Sequence, residues 1–191
     1  MQKIALIYMG GTFGCIGEPL MPMPEQAFLP LLEKIIPPHL QVECFAAPSI
    51  KDSSACTAVD WLQLIQQIQQ LQHNNYQYFV IIHGTDTLSY AAATLARFLG
   101  DSCHAIITGS QYPLLNIEGN DTREFTDALG NLYLALEQVL KLPAGVYLAF
   151  YQQVFHAQTT LKVHTTELDA FTGIPATKEC LTSTHQFIVK D

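Results

Sequence analysis

The sequence predicts a doubly wound α/β fold, in which a mostly parallel β-sheet carries helices on both of its faces. Short, continuously apolar segments alternate along the chain with longer segments whose apolar residues recur at helical spacing. Strands that are apolar on both sides are typical of parallel sheets covered by helices. Right-handed crossovers would then bring the carboxyl ends of all these strands to one edge of the sheet.

Five strands and four helices are expected in strict alternation. The predicted strands cover residues 4–9, 41–46, 78–82, 103–107 and 145–150. The predicted helices cover residues 25–36, 57–71, 88–99 and 123–141. The first helix is followed by Pro37 and Pro38, which cannot continue it. The second begins with Thr57 and Asp60, whose spacing predicts a capping box. Residues 15–24 show neither the helical nor the strand periodicity of apolar residues, and they are expected to form a mobile loop.

Composition and charge exclude several classes of protein. The 191 residues are 49% hydrophobic and 14% charged, which predicts one globular domain over residues 1–191. The net charge of −8 and the lack of a Lys/Arg cluster argue against a nucleic-acid partner. No apolar run approaches the ~20 residues that cross a membrane, and no signal peptide is recognisable. The five cysteines form no CxxC pair, which favours reduced thiols in the cytoplasm, and no histidine or cysteine spacing suggests a metal site.

Two predicted strands end in the same kind of polar segment. The strand at 78–82 runs into His83-Gly84-Thr85-Asp86-Thr87, and the first strand runs into Gly10-Gly11-Thr12. Ligands of open α/β sheets bind at the carboxyl ends of the strands, where such loops meet. Glycines there let backbone amides come close to a ligand. The two loops therefore predict one site for a small molecule.

The other strand ends add polar groups to the same edge. They contribute Asp52-Ser53-Ser54, Thr108 with Ser110, and a segment that runs from His156 to Lys162. Hydroxyl residues at helix starts also have a purely structural explanation, because serine and threonine are good N-caps. An acid such as Asp86 can likewise favour the first turn of a helix. Both explanations stay open at the level of sequence.

Taken in order, these segments resemble the N-terminal domain of the bacterial-type L-asparaginases, in their type I cytoplasmic branch. The resemblance is carried by Gly10–Gly14, Asp52–Ser54 followed by Trp61, His83–Leu88, Thr108–Gln111, and the stretch from Thr160 to Phe171. It implies a Rossmann-like α/β domain that hydrolyses L-asparagine without a cofactor or a metal. It also implies a cytoplasmic protein that forms a homo-oligomer, for which we expect a dimer.

The resemblance assigns roles residue by residue. Thr12 corresponds to the nucleophile that attacks the side-chain amide, and Thr85, Asp86 and Lys162 correspond to a second catalytic group. Ser53 and Asp86 match residues that hold the α-carboxylate and α-ammonium groups of the substrate. The remaining candidate substrate-binding residues are Gly11, Ser54, Gly84 and Ser110. A threonine hydroxyl becomes a useful nucleophile only when a base removes its proton.

The sequence departs from the family in three respects. Leu20 stands where the family has a first-loop tyrosine, and no tyrosine occurs between Tyr8 and Tyr76. Ala55 replaces an acid that follows the serine pair. We also expect the family's second, C-terminal domain to be absent. Three functions therefore stay open. The first is an amidohydrolase that is either truncated or assembled with a separately supplied partner. The others are a catalytically impaired domain that binds a small ligand, and a structural or regulatory subunit that pairs with a complete homologue.

Overall fold

A six-stranded β-sheet forms the centre of the computed structural model, which describes residues 2–176. The strands are β1 (Lys3–Tyr8), β2 (Cys15–Ile16), β3 (Met21–Pro22), β4 (Gln41–Ala46), β5 (Tyr78–Ile82), β6 (His104–Thr108), β7 (Gly145–Phe150), β8 (Gln153–His156), β9 (Leu161–Lys162) and β10 (Phe171–Thr172). The α-helices are α1 (Glu25–Lys34), α2 (Ala58–His73), α3 (Leu88–Leu99) and α4 (Ala128–Gln138).

The sheet has the strand order β4-β1-β5-β6-β7-β8. The first five strands are mutually parallel, and β8 returns antiparallel to β7 at the edge. Strand order reverses at β1, because the next strand of the sheet in sequence, β4, lies on one side of it and β5 on the other. Such a reversal opens a crevice beyond the carboxyl ends of the two central strands. Here the crevice lies between the loops that follow β1 and β5.

Both faces of the sheet are buried under helices, as the sequence predicts. Ala5 and Ile7 pack into a cluster with apolar residues of α2 and α3, whereas Ile4 and Leu6 pack into the cluster formed with α1 and α4. All four side chains are fully buried. Alternate residues of one strand thus enter two different cores, which explains why the strand is apolar at every position.

Most element boundaries agree with the sequence prediction. Strands β4, β5 and β7 and helix α3 have the predicted bounds, and β1 and β6 are displaced by one residue. The capping box at the start of α2 is confirmed, since Asp60 accepts hydrogen bonds from the backbone nitrogen and the hydroxyl of Thr57 at 2.7 and 3.0 Å. A local motif with its own hydrogen bonds is therefore readable without tertiary information.

The predicted bounds of the last helix, 123–141, are wrong. Helix α4 starts at Ala128, because the carboxylate of Asp127 accepts hydrogen bonds from the backbone nitrogens of Gln111 and Tyr112 instead of extending the helix. Arg123 meanwhile donates its backbone N–H to Leu114 within a loop. Long-range bonds to the end of β6 thus replace the first turn that helical periodicity predicts.

Three strand pairs escape prediction. Strand β8 and the two-residue ribbon of β9 and β10 occupy a stretch for which the sequence gives no element, and β2 pairs with β3 inside the predicted loop at 15–24. Two-residue strands are too short to show an alternating pattern. The β9–β10 ribbon matters for function, because it carries Lys162.

The structure also locates the cysteines and one of the histidines. Cys15, Cys44, Cys56 and Cys103 carry free thiols, while Cys180 lies outside the described residues. Within residues 2–176, no helix has the length and apolar character needed to cross a membrane. His104 has a structural role, since its ring contacts the carbonyl of Leu142 at 3.0 Å and stacks on Tyr78.

Candidate active site

Two glycines bring the loops after β1 and β5 into direct contact. Gly11 has a φ of +84°, and a Cβ built on it would lie only 2.7 Å from the backbone nitrogen of Gly84. A Cβ on Gly84 would in turn lie 2.6 Å from Oγ of Ser53, in the loop after β4. Any side chain at either glycine would separate these three loops. The close approach explains why Gly-Gly-Thr and His-Gly-Thr end the two central strands.

Lys162 links the two polar residues that follow Gly84. Its amino group donates hydrogen bonds to Oγ1 of Thr85 and to Oδ1 of Asp86, both at 3.0 Å. The side chain of Lys162 is 13% exposed, whereas that of Asp86 is 60% exposed. The lysine therefore reaches from the ribbon into the edge of the sheet, and its charge is balanced by a carboxylate that is open to solvent.

A cleft of about 300 Å³ opens beside this pair. Its lining includes Tyr90, Leu161, Val163 and His164 in addition to the lysine and the aspartate. That volume is at the lower end for ligand sites and suits a molecule of the size of an amino acid.

Ser53 holds the loop that presents Asp86. Its hydroxyl accepts a hydrogen bond from the backbone nitrogen of Asp86 at 3.1 Å, and its carbonyl accepts one from Oγ1 of Thr87 at 2.8 Å. Ser53 itself is 1% exposed. The neighbouring Ser54 is exposed, and its N–H donates to the carboxylate of Asp52. Only the first serine of the predicted pair therefore bridges two site loops.

The N-capping explanation of the hydroxyls does not hold. Thr12 begins a short 3₁₀ turn that is capped by Gly11, and the turn at Ser53–Ala55 is capped by Asp52. Thr108 donates its hydroxyl to the carbonyl of Ala149 at 2.7 Å inside the sheet. Asp86 likewise precedes α3 and takes no part in its first turn, which contains no acid. Its carboxylate pairs with Lys162 instead, and the side chains of Thr12 and Ser53 do not cap the short turns in which they lie.

The loops also offer hydrogen-bond donors that the protein itself does not use. Among the described residues, the hydroxyl of Thr12 has no hydrogen-bond partner, and the backbone N–H groups of Gly11, Thr12, Gly84 and Thr85 donate to no protein acceptor. Thr85 is only 9% exposed. Amides without an acceptor among the described residues, in two loops that touch each other, are suited to bind an anionic group or a developing oxyanion.

The hydroxyl of Ser110 is bound within its own loop and not to another residue of the site. The hydroxyl donates to the carbonyl of Tyr112 at 2.6 Å, and the residue is 1% exposed. The next residue, Gln111, does contact the site, because its Oε1 accepts a hydrogen bond from Oγ1 of Thr85 at 3.4 Å. Sequence reasoning missed Gln111, although it belongs to the same strand-end motif.

His83 lies beneath the site as a neutral ring. It is 1% exposed, its Nε2 accepts a hydrogen bond from the indole nitrogen of Trp61 at 3.1 Å, and its Nδ1 lies 2.8 Å from the carbonyl of Gly84. A ring that accepts at Nε2 carries its proton on Nδ1 and donates it to that carbonyl. Burial lowers the pKa of His83, and the bond to Gly84 opposes this effect only partly. His83 therefore has a structural role, as a link between Trp61 and the backbone of the site loop.

The position of the missing tyrosine is open to solvent. Leu20 lies between β2 and β3 with 49% of its surface exposed, and it follows the 3₁₀ turn that contains Thr12. The hairpin is attached to the body through the backbone nitrogen of Met23, which donates to Gly14 at 3.0 Å, and that of Gly17, which donates to Ile117 at 3.2 Å. Ala55 is also exposed, at the end of its short turn. Neither residue can donate or accept a proton through its side chain.

Fold and site together define a doubly wound α/β protein with a threonine, lysine and aspartate cluster at the switch point of its sheet. The chain belongs to the asparaginase family: the family description "Asparaginase, N-terminal" matches residues 3–188. The structural resemblance inferred from the sequence is thus confirmed, including the α/β class of the domain.

Similar proteins cover nearly the whole chain. L-asparaginase 1 of Escherichia coli K12 is 31% identical over 191 aligned positions, which cover 90% of this chain and 51% of that protein. A mouse protein named 60 kDa lysophospholipase is 29% identical over 89% of this chain and 34% of its own length. The crystal structure of L-asparaginase I from Vibrio cholerae superposes with a TM-score of 0.76 at 28% identity, covering 91% of this chain and 52% of that one. The chain therefore spans about half the length of the L-asparaginases that it matches, or less in the case of the mouse protein.

Proposed function

We propose that this protein hydrolyses the side-chain amide of L-asparagine to L-aspartate and ammonia, with Thr12 as the nucleophile. One observation carries the proposal: Lys162 lies 3.0 Å from both Thr85 and Asp86, which belong to the loop whose Gly84 contacts Gly11 of the loop after β1. Membership of the asparaginase family supports it. The reaction uses no cofactor and no metal.

The proposed chemistry is acyl transfer in two steps. The hydroxyl oxygen of Thr12 attacks the amide carbon while a base takes its proton, and the carbonyl oxygen becomes an oxyanion held by backbone N–H groups. The C–N bond then breaks, and the nitrogen leaves as ammonia after taking up a proton. Water attacks the resulting ester, releases the carboxylate and restores the threonine. Lys162 and Thr85 form the hydrogen-bonded path along which a proton moves during these steps.

The surrounding residues suit the two charged groups of an amino acid. The exposed carboxylate of Asp86 attracts an α-ammonium group, and the hydroxyl proton of Ser53 is available to an α-carboxylate. The backbone at Gly11, Ser54 and Gly84 completes this part of the proposed pocket. For Ser110 we propose only an indirect contribution, because its hydroxyl is bound inside its own loop.

Ammonia release from L-asparagine tests the proposal. The wild-type protein is compared with Thr12→Ala, which removes the proposed nucleophile, and with Thr94→Ala, a matched loss of a hydroxyl that bonds within α3 to the carbonyl of Tyr90. Turnover that disappears in Thr12→Ala and persists in Thr94→Ala supports the proposal. Equal turnover in Thr12→Ala and wild type refutes it.

A second candidate function is binding of the amino acid without turnover. Leu20, which takes the place of the family's tyrosine, favours this alternative, because its side chain cannot relay a proton. Calorimetry with L-aspartate distinguishes the two functions. Binding that Ser53→Ala weakens, together with no ammonia release by the wild type, identifies a ligand-binding domain.

We also propose that the protein associates with itself, in the simplest case as a dimer. Tyr90, Leu161 and Val163 are 65%, 59% and 47% exposed and lie together at the rim of the cleft beside Lys162. Grouped apolar side chains on a surface mark sites of association. Light scattering at a protein concentration of tens of micromolar should give the mass of a dimer, because an association free energy of roughly −7 kcal/mol corresponds to a Kd in this range. A monomer under these conditions refutes the idea.

A further inference from the structure

Gln111 connects the loop after β6 to Thr85 and to the segment that follows Lys162. Its Nε2 donates hydrogen bonds to the carbonyls of Thr165 and Glu167, at 3.2 and 2.9 Å, in the segment that follows Lys162. Two carbonyl acceptors require the amide nitrogen on their side, which fixes the orientation of the side chain. The amide oxygen therefore faces the hydroxyl of Thr85.

We propose that Gln111 is a positioning residue, which sets the direction of the Thr85 proton and the reach of Lys162. The ammonium group of Lys162 occupies one lone pair of the Thr85 hydroxyl, so the proton of that hydroxyl points to Gln111. At 3.4 Å this bond is long, and it orients the proton without holding it tightly. The inference rests on the function proposed above and adds a residue to it.

The backbone of Gln111 is itself firmly held. Its N–H lies 2.9 and 3.1 Å from the two carboxylate oxygens of Asp127, and that carboxylate is also bound by the side chain of Asn131 at 3.3 Å. Hydrogen bonds to an ionised acceptor are stronger than those between neutral groups. The side chain of Gln111 therefore extends from a fixed anchor to the ribbon segment, and a change in it affects the site more than the fold.

Two substitutions of similar size separate the parts of this role. Gln111→Met removes all three hydrogen bonds of the side chain without adding charge. Gln111→Glu keeps an acceptor toward Thr85 but replaces the donor toward Thr165 and Glu167 with a carboxylate. The control is Gln72→Met, because Gln72 also donates to a backbone carbonyl, that of Ser102 at 3.1 Å, but lies far along α2.

Kinetics with L-asparagine give the first test. Gln111→Met should lower kcat by roughly 10- to 100-fold while KM changes by less than about threefold, since misplaced reacting groups cost rate more than binding. Gln111→Glu should also shift the pH profile of kcat toward higher pH, whereas Gln72→Met should match the wild type. The proposal is overturned if Gln111→Met has the kcat of the wild type, whether KM is unchanged or raised.

A second measurement does not depend on turnover. Acylation of the Lys162 amine by trace acetic anhydride at one fixed pH, followed by mass spectrometry, reports how strongly its surroundings favour the charged form. The charges described around this amine are Asp86 at 3.0 Å and the titratable ring of His164 in the same cleft. A new carboxylate in Gln111→Glu should slow acylation about tenfold. An acylation rate in Gln111→Glu equal to that of the wild type overturns the positioning role. If the wild type shows no turnover of L-asparagine but acylation is slowed in Gln111→Glu, only the proposed reaction is refuted.

Discussion

The indole nitrogen of Trp61 donates a hydrogen bond of 3.1 Å to Nε2 of His83. Trp61 is the only tryptophan of the chain, and His83 precedes the glycine that contacts Gly11 in the candidate site. The contact joins helix α2 to the carboxyl end of β5. Its hydrogen bond exists only while Nε2 is unprotonated, so the state of the ring can be followed through one fluorophore.

We predict that the fluorescence of Trp61 changes in a titration whose midpoint lies below the ordinary histidine pKa of 6.5, because burial lowers the pKa of His83. In the unfolded chain the ring takes up its proton near pH 6.5. The unfolded state therefore binds more protons than the folded state just below that pH, and the free energy of unfolding decreases as the pH falls through this window. It decreases by up to about 1.4 kcal/mol per pH unit from this one group.

His83→Gln is the control for both readouts. The amide can still accept from Trp61 but does not titrate, so the fluorescence transition should vanish and the pH dependence of urea unfolding should become shallower. A wild-type midpoint at or above pH 6.5 would contradict the prediction, as would the same transition in His83→Gln.

A second prediction concerns the contact between the two site loops. Gly11→Ala should destabilise the protein by more than Gly100→Ala, although both glycines have positive φ angles of +84° and +54°. The strained backbone costs about 1–3 kcal/mol in each variant. Gly11→Ala also creates a clash with Gly84, which adds about 1–3 kcal/mol to its cost. Gly100→Ala creates no clash, because no atom lies within 4 Å of a Cβ at that position. Urea unfolding of both variants checks this, and equal losses would show that the loops can separate.

The third prediction addresses the exposed hairpin. Leu20→Tyr should raise the turnover of L-asparagine by about 10- to 100-fold, since it supplies a phenol that can move a proton. Met21→Tyr is the matched control, because Met21 is 65% exposed on the adjoining strand. Steady-state ammonia release decides the matter: an equal gain in both variants would assign the effect to the hairpin surface and not to position 20.

The fourth prediction concerns how the residues of the site combine. Thr12→Ala and Lys162→Met should each abolish steady-state turnover, and the residual single-turnover rate of the double variant should be no lower than that of either single variant, because residues that act as a unit are not additive. Single-turnover assays at high protein concentration provide the measurement. Turnover unchanged in Lys162→Met would mean that the activity arises elsewhere.

The fold was largely predictable because its central strands lie in a buried parallel sheet. Strands β1, β5 and β7 are apolar at nearly every position, and glycine and hydroxyl residues follow β1 and β5, so strand β5 and helix α3 have bounds that agree with the prediction. Helix α4 differs, because Asp127 bonds to the backbone of the distant Gln111 and Tyr112. Helical periodicity carries no information on such tertiary hydrogen bonds.

The site was predictable to the extent that its residues follow strands. Thr12, Ser53 and Thr85 occur at the ends of β1, β4 and β5, and the topology alone brings them to one edge. Lys162 was predicted as part of the segment that follows the fifth strand, but it lies on a ribbon too short to show a pattern, and only the family resemblance assigned it a role. Gln111 was missed, since a glutamine after a serine has no distinctive spacing and its role depends on contacts 54 and 56 residues away.

The bond between Lys162 and Thr85 spans 77 residues of chain, and it is made by a ribbon of two-residue strands outside the main sheet. Contacts between consecutive parallel strands such as β5 and β6 need only one intervening helix, whereas this closure needs the ribbon to dock on a finished edge. A refolding chain can therefore regain its circular dichroism spectrum before it regains the lysine–threonine contact. Recovery of chemical competence should lag behind recovery of secondary structure, and the delay between the two signals measures how late the ribbon docks.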